Sequence, residues 1–145
     1  MKTAAPSSKS TISPSTKAPS APTTSLTPFQ SGVLSVQNAA RAATGKNEPA
    51  LTWDTVLAPL AEQWAANCVF ADSGTYGGFQ HGSNAAAMAG YTPTGENCAQ
   101  LWVNEKPDYS GRPITADGSF CNDGNADGCG HYTQVLLFNN LMLWS

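Results

Sequence analysis

Residues 95–105 read Gly95-Glu96-Asn97-Cys98-Ala99-Gln100-Leu101-Trp102-Val103-Asn104-Glu105, and further on comes Gly130-His131-Tyr132-Thr133-Gln134-Val135. The first stretch is read as a short helix. Asn97 can cap its start, Leu101 and Glu105 stand four apart on one face, and Pro107 closes it, because the residue before a proline avoids helical geometry. The second alternates in the manner of a strand and runs into the strand-sized apolar run Val135-Leu136-Leu137-Phe138. Imidazole is the side chain whose ordinary pKa lies near neutrality, and carboxylates can orient it, share its proton or join it on a metal. The chain holds only two histidines. His81, Glu96, Glu105 and His131 are therefore the candidate site.

Upstream, a first helix is expected from about Pro28 to Ala43, with Val33, Leu34, Val36 and Ala40 near helical spacing and Gly45 as its C-terminal stop. Asp54 can cap a second, in which Val56, Leu57, Leu60, Ala61, Trp64 and Cys68 recur at three- and four-residue intervals along one side. Pro59 falls near its first turn, where the missing amide donor matters least. From Ala71 to Thr94 the chain is rich in Gly, Ser, Ala and Asn, and only Asn84 to Ala89 looks helical; His81 lies in this region. Residues 109–130 form a turn-rich excursion.

The chain has 145 residues, enough for one domain of ordinary size. No run approaches the roughly 20 apolar residues that span a bilayer. Residues 1–27 are almost entirely Ser, Thr, Pro, Ala and Lys, with too little apolar surface to offset the entropy of ordering, so they are read as a disordered tail before a domain at 28–145. Lys2, Lys9 and Lys17 are the only charged side chains before residue 28; the remainder holds all ten acids against four bases, a net charge of −6. Such a surface repels phosphate backbones, which argues against nucleic-acid binding. Met1-Lys2-Thr3 imitates the start of a secretion signal, but the apolar stretch that should follow is absent, so the sequence does not itself encode export.

Four cysteines, Cys68, Cys98, Cys121 and Cys129, allow three pairings in an oxidising compartment. Cys121 and Cys129 flank an Asn/Asp/Gly-rich turn that a local disulfide closes easily; Cys68 with Cys98 is the remaining pair, and four reduced thiols the alternative. Without a CxxC a zinc ribbon is excluded. Asp123 to Gly128 imitates the start of a calcium loop, but Gln134 stands where the closing glutamate belongs, so turn chemistry is the better reading. Trp53, Trp64 and Trp102 fall on apolar faces and are read as core.

Five segments in order, Gln37-Asn38-Ala39-Ala40-Arg41, Pro49-Ala50-Leu51-Thr52-Trp53-Asp54, Gly95-Glu96-Asn97, Leu101 to Tyr109 (LWVNEKPDY) and Gly130 to Val135 (GHYTQV), resemble the CAP superfamily, which groups cysteine-rich secretory proteins, antigen 5 and pathogenesis-related protein 1. The resemblance covers about residues 33–135. It implies an α/β fold, the CAP-type α-β-α sandwich, in which His81, Glu96, Glu105 and His131 line a central cleft. The family continues after Val135 with further strands, whereas this chain runs from Leu136 to Ser145, so a sandwich truncated at its C-terminal strands is expected. Cys68 would then lack its usual distant partner, with Cys98 as the substitute.

The resemblance further implies a secreted, monomeric binding module for sterols or other small lipids, in defence, host interaction or signalling, with Met88, Tyr91 and the apolar chain end as candidate groove residues. No cofactor is required, although His81 and His131 with Glu96 or Glu105 match the donor set of zinc with an open water position. A metal-dependent hydrolase is the alternative; no convincing nucleophile or oxyanion hole accompanies the quartet, so binding leads. A third reading is a structural cell-wall domain tethered by the tail.

Overall fold

The structure is a computed structural model that describes residues 25–71, 75–76, 79–80, 83–115 and 117–137. Four helices carry it: α1 (Pro28–Ala42), α2 (Leu57–Ala65), α3 (Gly95–Val103) and α4 (Gly130–Leu136). A two-residue ribbon pairs β1 (Thr75–Tyr76) antiparallel with β2 (Phe79–Gln80), Thr75 facing Gln80 and Tyr76 facing Phe79. Among the described residues, the sheet expected of a sandwich amounts to this ribbon and one isolated antiparallel bridge between Tyr109 and Cys121. No helix among them is long and apolar enough to cross a membrane.

The expected first helix forms, and its entry is set by a reciprocal cap. The Thr27 hydroxyl accepts from the Gln30 N–H at 3.2 Å while the Gln30 side chain accepts from the Thr27 N–H at 2.9 Å. Gly45, at φ +69°, turns the chain away after the last turn. Val33 and Ala40 on α1 meet Cys98, Ala99 and Trp102 on α3, Val135 on α4 and Ala86 from the preceding segment in one apolar core. The α1–α3 crossing is close because Gly95 has no side chain: a Cβ there would stand 2.0 Å from the Phe29 carbonyl oxygen.

Two polar side chains on α1 bind backbone that is distant in sequence. Asn38 exchanges two hydrogen bonds with Leu51, donating to its carbonyl at 3.0 Å and accepting from its N–H at 2.7 Å, as a neighbouring strand would. Arg41, 1% exposed, donates to the Pro49 carbonyl from Nε at 3.0 Å and Nη2 at 2.9 Å, and from Nη1 to the carbonyls of Val135 and Leu137, both at 2.9 Å. The Glu48 carboxylate lies 3.8 Å away. The guanidinium thus pins the 44–49 loop and satisfies carbonyls at the C-terminal end of α4, where a cation is favoured.

α2 begins at Leu57, its entry held by Asp54, whose carboxylate accepts from the Val56 and Leu57 N–H groups at 2.7 and 2.9 Å. Only Ala61 is buried, with Leu57 and Trp64 against it. Cys68 lies outside the helix, exposed, at φ +55°.

Three local expectations are corrected. Asn84 to Ala89 is not helical: it has no regular secondary structure, Asn84 and Ala86 are buried alternately, and the Ala85 carbonyl accepts from the Trp102 indole at 3.2 Å. Tertiary hydrogen bonding overrides the helix preference of an alanine run. Thr94, not Asn97, caps α3; Asn97 is the reciprocal member of the cap, and Glu105 stands past the helix end, at the entry to a 3-10 turn over Lys106–Asp108. Gly130 to Leu136 is a helix, not a strand. Its buried residues, Tyr132, Thr133, Val135 and Leu136, follow the helical i, i+1, i+3, i+4 pattern, which outweighs the β-branched composition.

Candidate functional site

Where α3 ends, the chain turns through Glu105 toward the start of α4. His131 Nδ1 lies 2.6 Å from Glu105 Oε1, and the Tyr132 N–H donates to Glu105 Oε2 at 3.2 Å. One carboxylate therefore binds the imidazole and an otherwise unpaired amide at the N-terminal end of α4, the end at which negative charge is favoured. Since an ionised carboxylate only accepts, the proton of a neutral His131 sits on Nδ1 and the lone pair on Nε2. The pair is partly open to solvent, with side-chain exposures of 36% for His131 and 22% for Glu105.

Three neighbours fix this corner. Asn84, 3% exposed, donates from Nδ2 to the His131 carbonyl at 3.0 Å, and its buried Oδ1 has no hydrogen-bond partner among the described residues. Tyr132 packs on Tyr109, ring centroids 5.8 Å apart; burial, and secondarily the charge of Glu48 and the neighbouring Tyr109, push its phenol pKa up. The Cys121–Cys129 disulfide, expected from the sequence, joins the turn-rich excursion to the residue before α4 and packs with Phe120 and Tyr109. Within that excursion Asp123 accepts from the Asn125 N–H at 2.9 Å and Asn125 from the Asp127 N–H at 3.1 Å, the turn chemistry read from the sequence.

The second cysteine pair is corrected: Cys68 and Cys98 are free, Cys68 exposed and Cys98 buried in the core, where desolvation raises its thiol pKa. Burial on the inner face of α3 keeps Cys98 out of reach of a surface partner.

Of the quartet, the structure joins His131 to Glu105. Glu96 is exposed on the first turn of α3 and lies over Gly32 of α1, where an added Cβ would meet its carboxylate at 2.5–2.8 Å. His81 lies outside the described residues. Among the described residues no three of His, Cys, Asp and Glu gather closely enough to hold a metal ion. Glu105 takes one contact on each oxygen, from His131 Nδ1 and from the Tyr132 N–H, and so orients the imidazole. Two residues that hold α4 in place escaped sequence reasoning. Arg41 shares the buried face of α1 with Val33 and Gln37, and a cation in that register signals a buried acceptor set; Asn84 carries no comparable signal.

Sequence comparison names the class to which these segments belong. Residues 34–140 match the model of the CAP (cysteine-rich secretory protein) family, and the chain belongs to that family. It is 34% identical over 114 residues to the pathogenesis-related protein PR-1 type of Sambucus nigra, covering 76% of this chain and 61% of that protein. It is 35% identical over 112 residues to pathogenesis-related protein 1C of Nicotiana tabacum, covering 77% and 61%. Venom allergen 5 of Brachyponera chinensis is 35% identical over 97 residues, covering 62% and 47%. The chain thus spans 61% of the length of these plant relatives. No solved structure gives a significant match.

Proposed function

We propose that this chain is an extracellular CAP module that binds a sterol or other small lipid, in defence, host interaction or signalling. The observation that carries the reading is the His131–Glu105 pair: a carboxylate fixes Nδ1 at 2.6 Å and leaves Nε2 as an acceptor on a solvent-open corner. In this reading His81 and Glu96 complete the cleft, over an α-β-α sandwich whose described part is mostly helical. The relatives named as pathogenesis-related proteins support the defence role, and the Cys121–Cys129 disulfide supports an oxidising compartment. An apolar surface is also at hand. Tyr91 is 59% exposed, and its hydroxyl donates to the Met88 sulfur at 3.0 Å, so the two form one adaptable patch.

The protein acts here as a monomeric binder that needs no cofactor. A bound zinc would require ligands beyond the single described imidazole. Sterol uptake by the purified chain tests the proposal. Saturable binding at micromolar concentration is expected, weakened about tenfold, or about 1.4 kcal/mol, by Met88→Ser/Tyr91→Ser. No uptake at that concentration contradicts it.

A further inference from the structure

Away from His131, a groove of about 310 Å3 runs between the entry to α1 and the first turns of α2, lined by Leu26, Gln30, Trp53, Ala58, Pro59 and Glu62. An adjoining hollow of about 370 Å3 shares Gln30, Trp53 and Glu62 and extends over Thr27 and Phe29. Its chemistry is specific. Trp53 and Phe29 supply aromatic surface, the Trp53 indole N–H makes no hydrogen bond among the described residues, and Glu62 places an exposed carboxylate at the rim. Aromatic rings with a spare donor suit a polyproline II segment, whose prolines pack on the rings and whose carbonyls, bonded to nothing within the segment, accept from the indole.

The chain carries such a segment close by. Lys17-Ala18-Pro19-Ser20-Ala21-Pro22 holds two prolines three residues apart, on one side of a helix with three residues per turn, and a lysine two residues before them. Residues 1–27 contain lysines and no acid, the charge complement of Glu62. The tether is short: Leu26 and Thr27 themselves line the groove, and Thr23 to Ser25 span at most about 10 Å, so the segment is held near it at an effective concentration in the millimolar range. We propose that the Trp53 groove is an intramolecular docking site for Lys17–Pro22, with Pro19 and Pro22 on the aromatic surface and Lys17 beside Glu62.

The test uses the full chain labelled with 5-fluorotryptophan, the Trp53 resonance in 19F NMR being identified by its loss in Trp53→Phe. Pro19→Ala/Pro22→Ala and Lys17→Glu are each expected to shift that resonance by more than its linewidth while leaving the Trp102 signal in place. Pro6→Ala/Pro14→Ala should leave both unmoved, and Lys17→Glu/Glu62→Lys should restore the original Trp53 position. A Trp53 signal indifferent to the 17–22 substitutions overturns the proposal. So does an equal response to the control prolines, or a failure of the charge swap to restore it. A response that disappears on dilution, together with a dimer mass in sedimentation, would place a second copy's segment in the groove and overturn the intramolecular assignment.

Discussion

Replacing Glu105 by alanine removes two hydrogen bonds that converge on the start of α4, and their worth follows from the geometry. The contact to His131 Nδ1 is short, at 2.6 Å, but the partners are 22% and 36% exposed, so water competes with it. A fully shielded charged hydrogen bond contributes about 1.5–3 kcal/mol and an exposed pair about 0.2–1, which puts this one near 1 kcal/mol. The Tyr132 N–H loses its cap, a further loss of about 1 kcal/mol. Glu105→Ala should therefore cost about 2 kcal/mol, a roughly 30-fold fall in the folded-to-unfolded ratio. Glu105→Gln keeps one acceptor and should cost about 1 kcal/mol. Urea unfolding without reductant reads these values, and a double-mutant cycle with His131→Ala isolates the pair, with an expected coupling of about 1 kcal/mol. Coupling below about 0.3 kcal/mol, with a loss below about 0.5 kcal/mol for Glu105→Ala, would refute the claim that the carboxylate organises this corner.

Further outcomes follow from the same structure. Arg41→Met removes the donors to the carbonyls of Pro49, Leu137 and the buried Val135 and should cost about 3 kcal/mol in urea unfolding, whereas Arg41→Lys, lacking the planar fork, should recover only part of that loss. Gly95→Ala drives a methyl into the Phe29 carbonyl and should destabilise by about 3 kcal/mol, while Gly32→Ala meets only the flexible Glu96 side chain and should change thermal stability little. Cys98 has a folded-state pKa raised above 9.0 by burial, so its contribution to stability is present below pH 9 and is lost as pH rises through the folded value. At neutral pH a thiol reagent should label one cysteine of the native protein, Cys68, and reach Cys98 only on unfolding.

Much of the framework is legible in the sequence because local chemistry decides it. The Thr27-Pro28 entry and the Gly45 exit bracket α1, Asp54 marks the approach to α2, and the turn between Cys121 and Cys129 announces its disulfide. What resisted reading depends on distant partners. Gly130 to Leu136 carries β-branched residues, yet it is helical because the core takes Tyr132, Thr133, Val135 and Leu136 from one side while Arg41 and Glu105 satisfy its two ends. Asn84 to Ala89 stays out of a helix because Trp102 and His131 draw on its polar groups. At the site, His131 and Glu105 were readable as residues of the right chemistry. Their pairing across 26 positions came from the family motifs, not from any local periodicity.

The central claim is that Glu105 holds the His131 imidazole by Nδ1 and leaves Nε2 as its outward acceptor. Long-range 15N NMR of the imidazoles in the full chain reads this atom by atom. The account predicts that neutral His131 carries its proton on Nδ1, and that Glu105→Gln weakens this preference. A neutral His131 protonated mainly on Nε2, with a spectrum unmoved by Glu105→Gln, would contradict it.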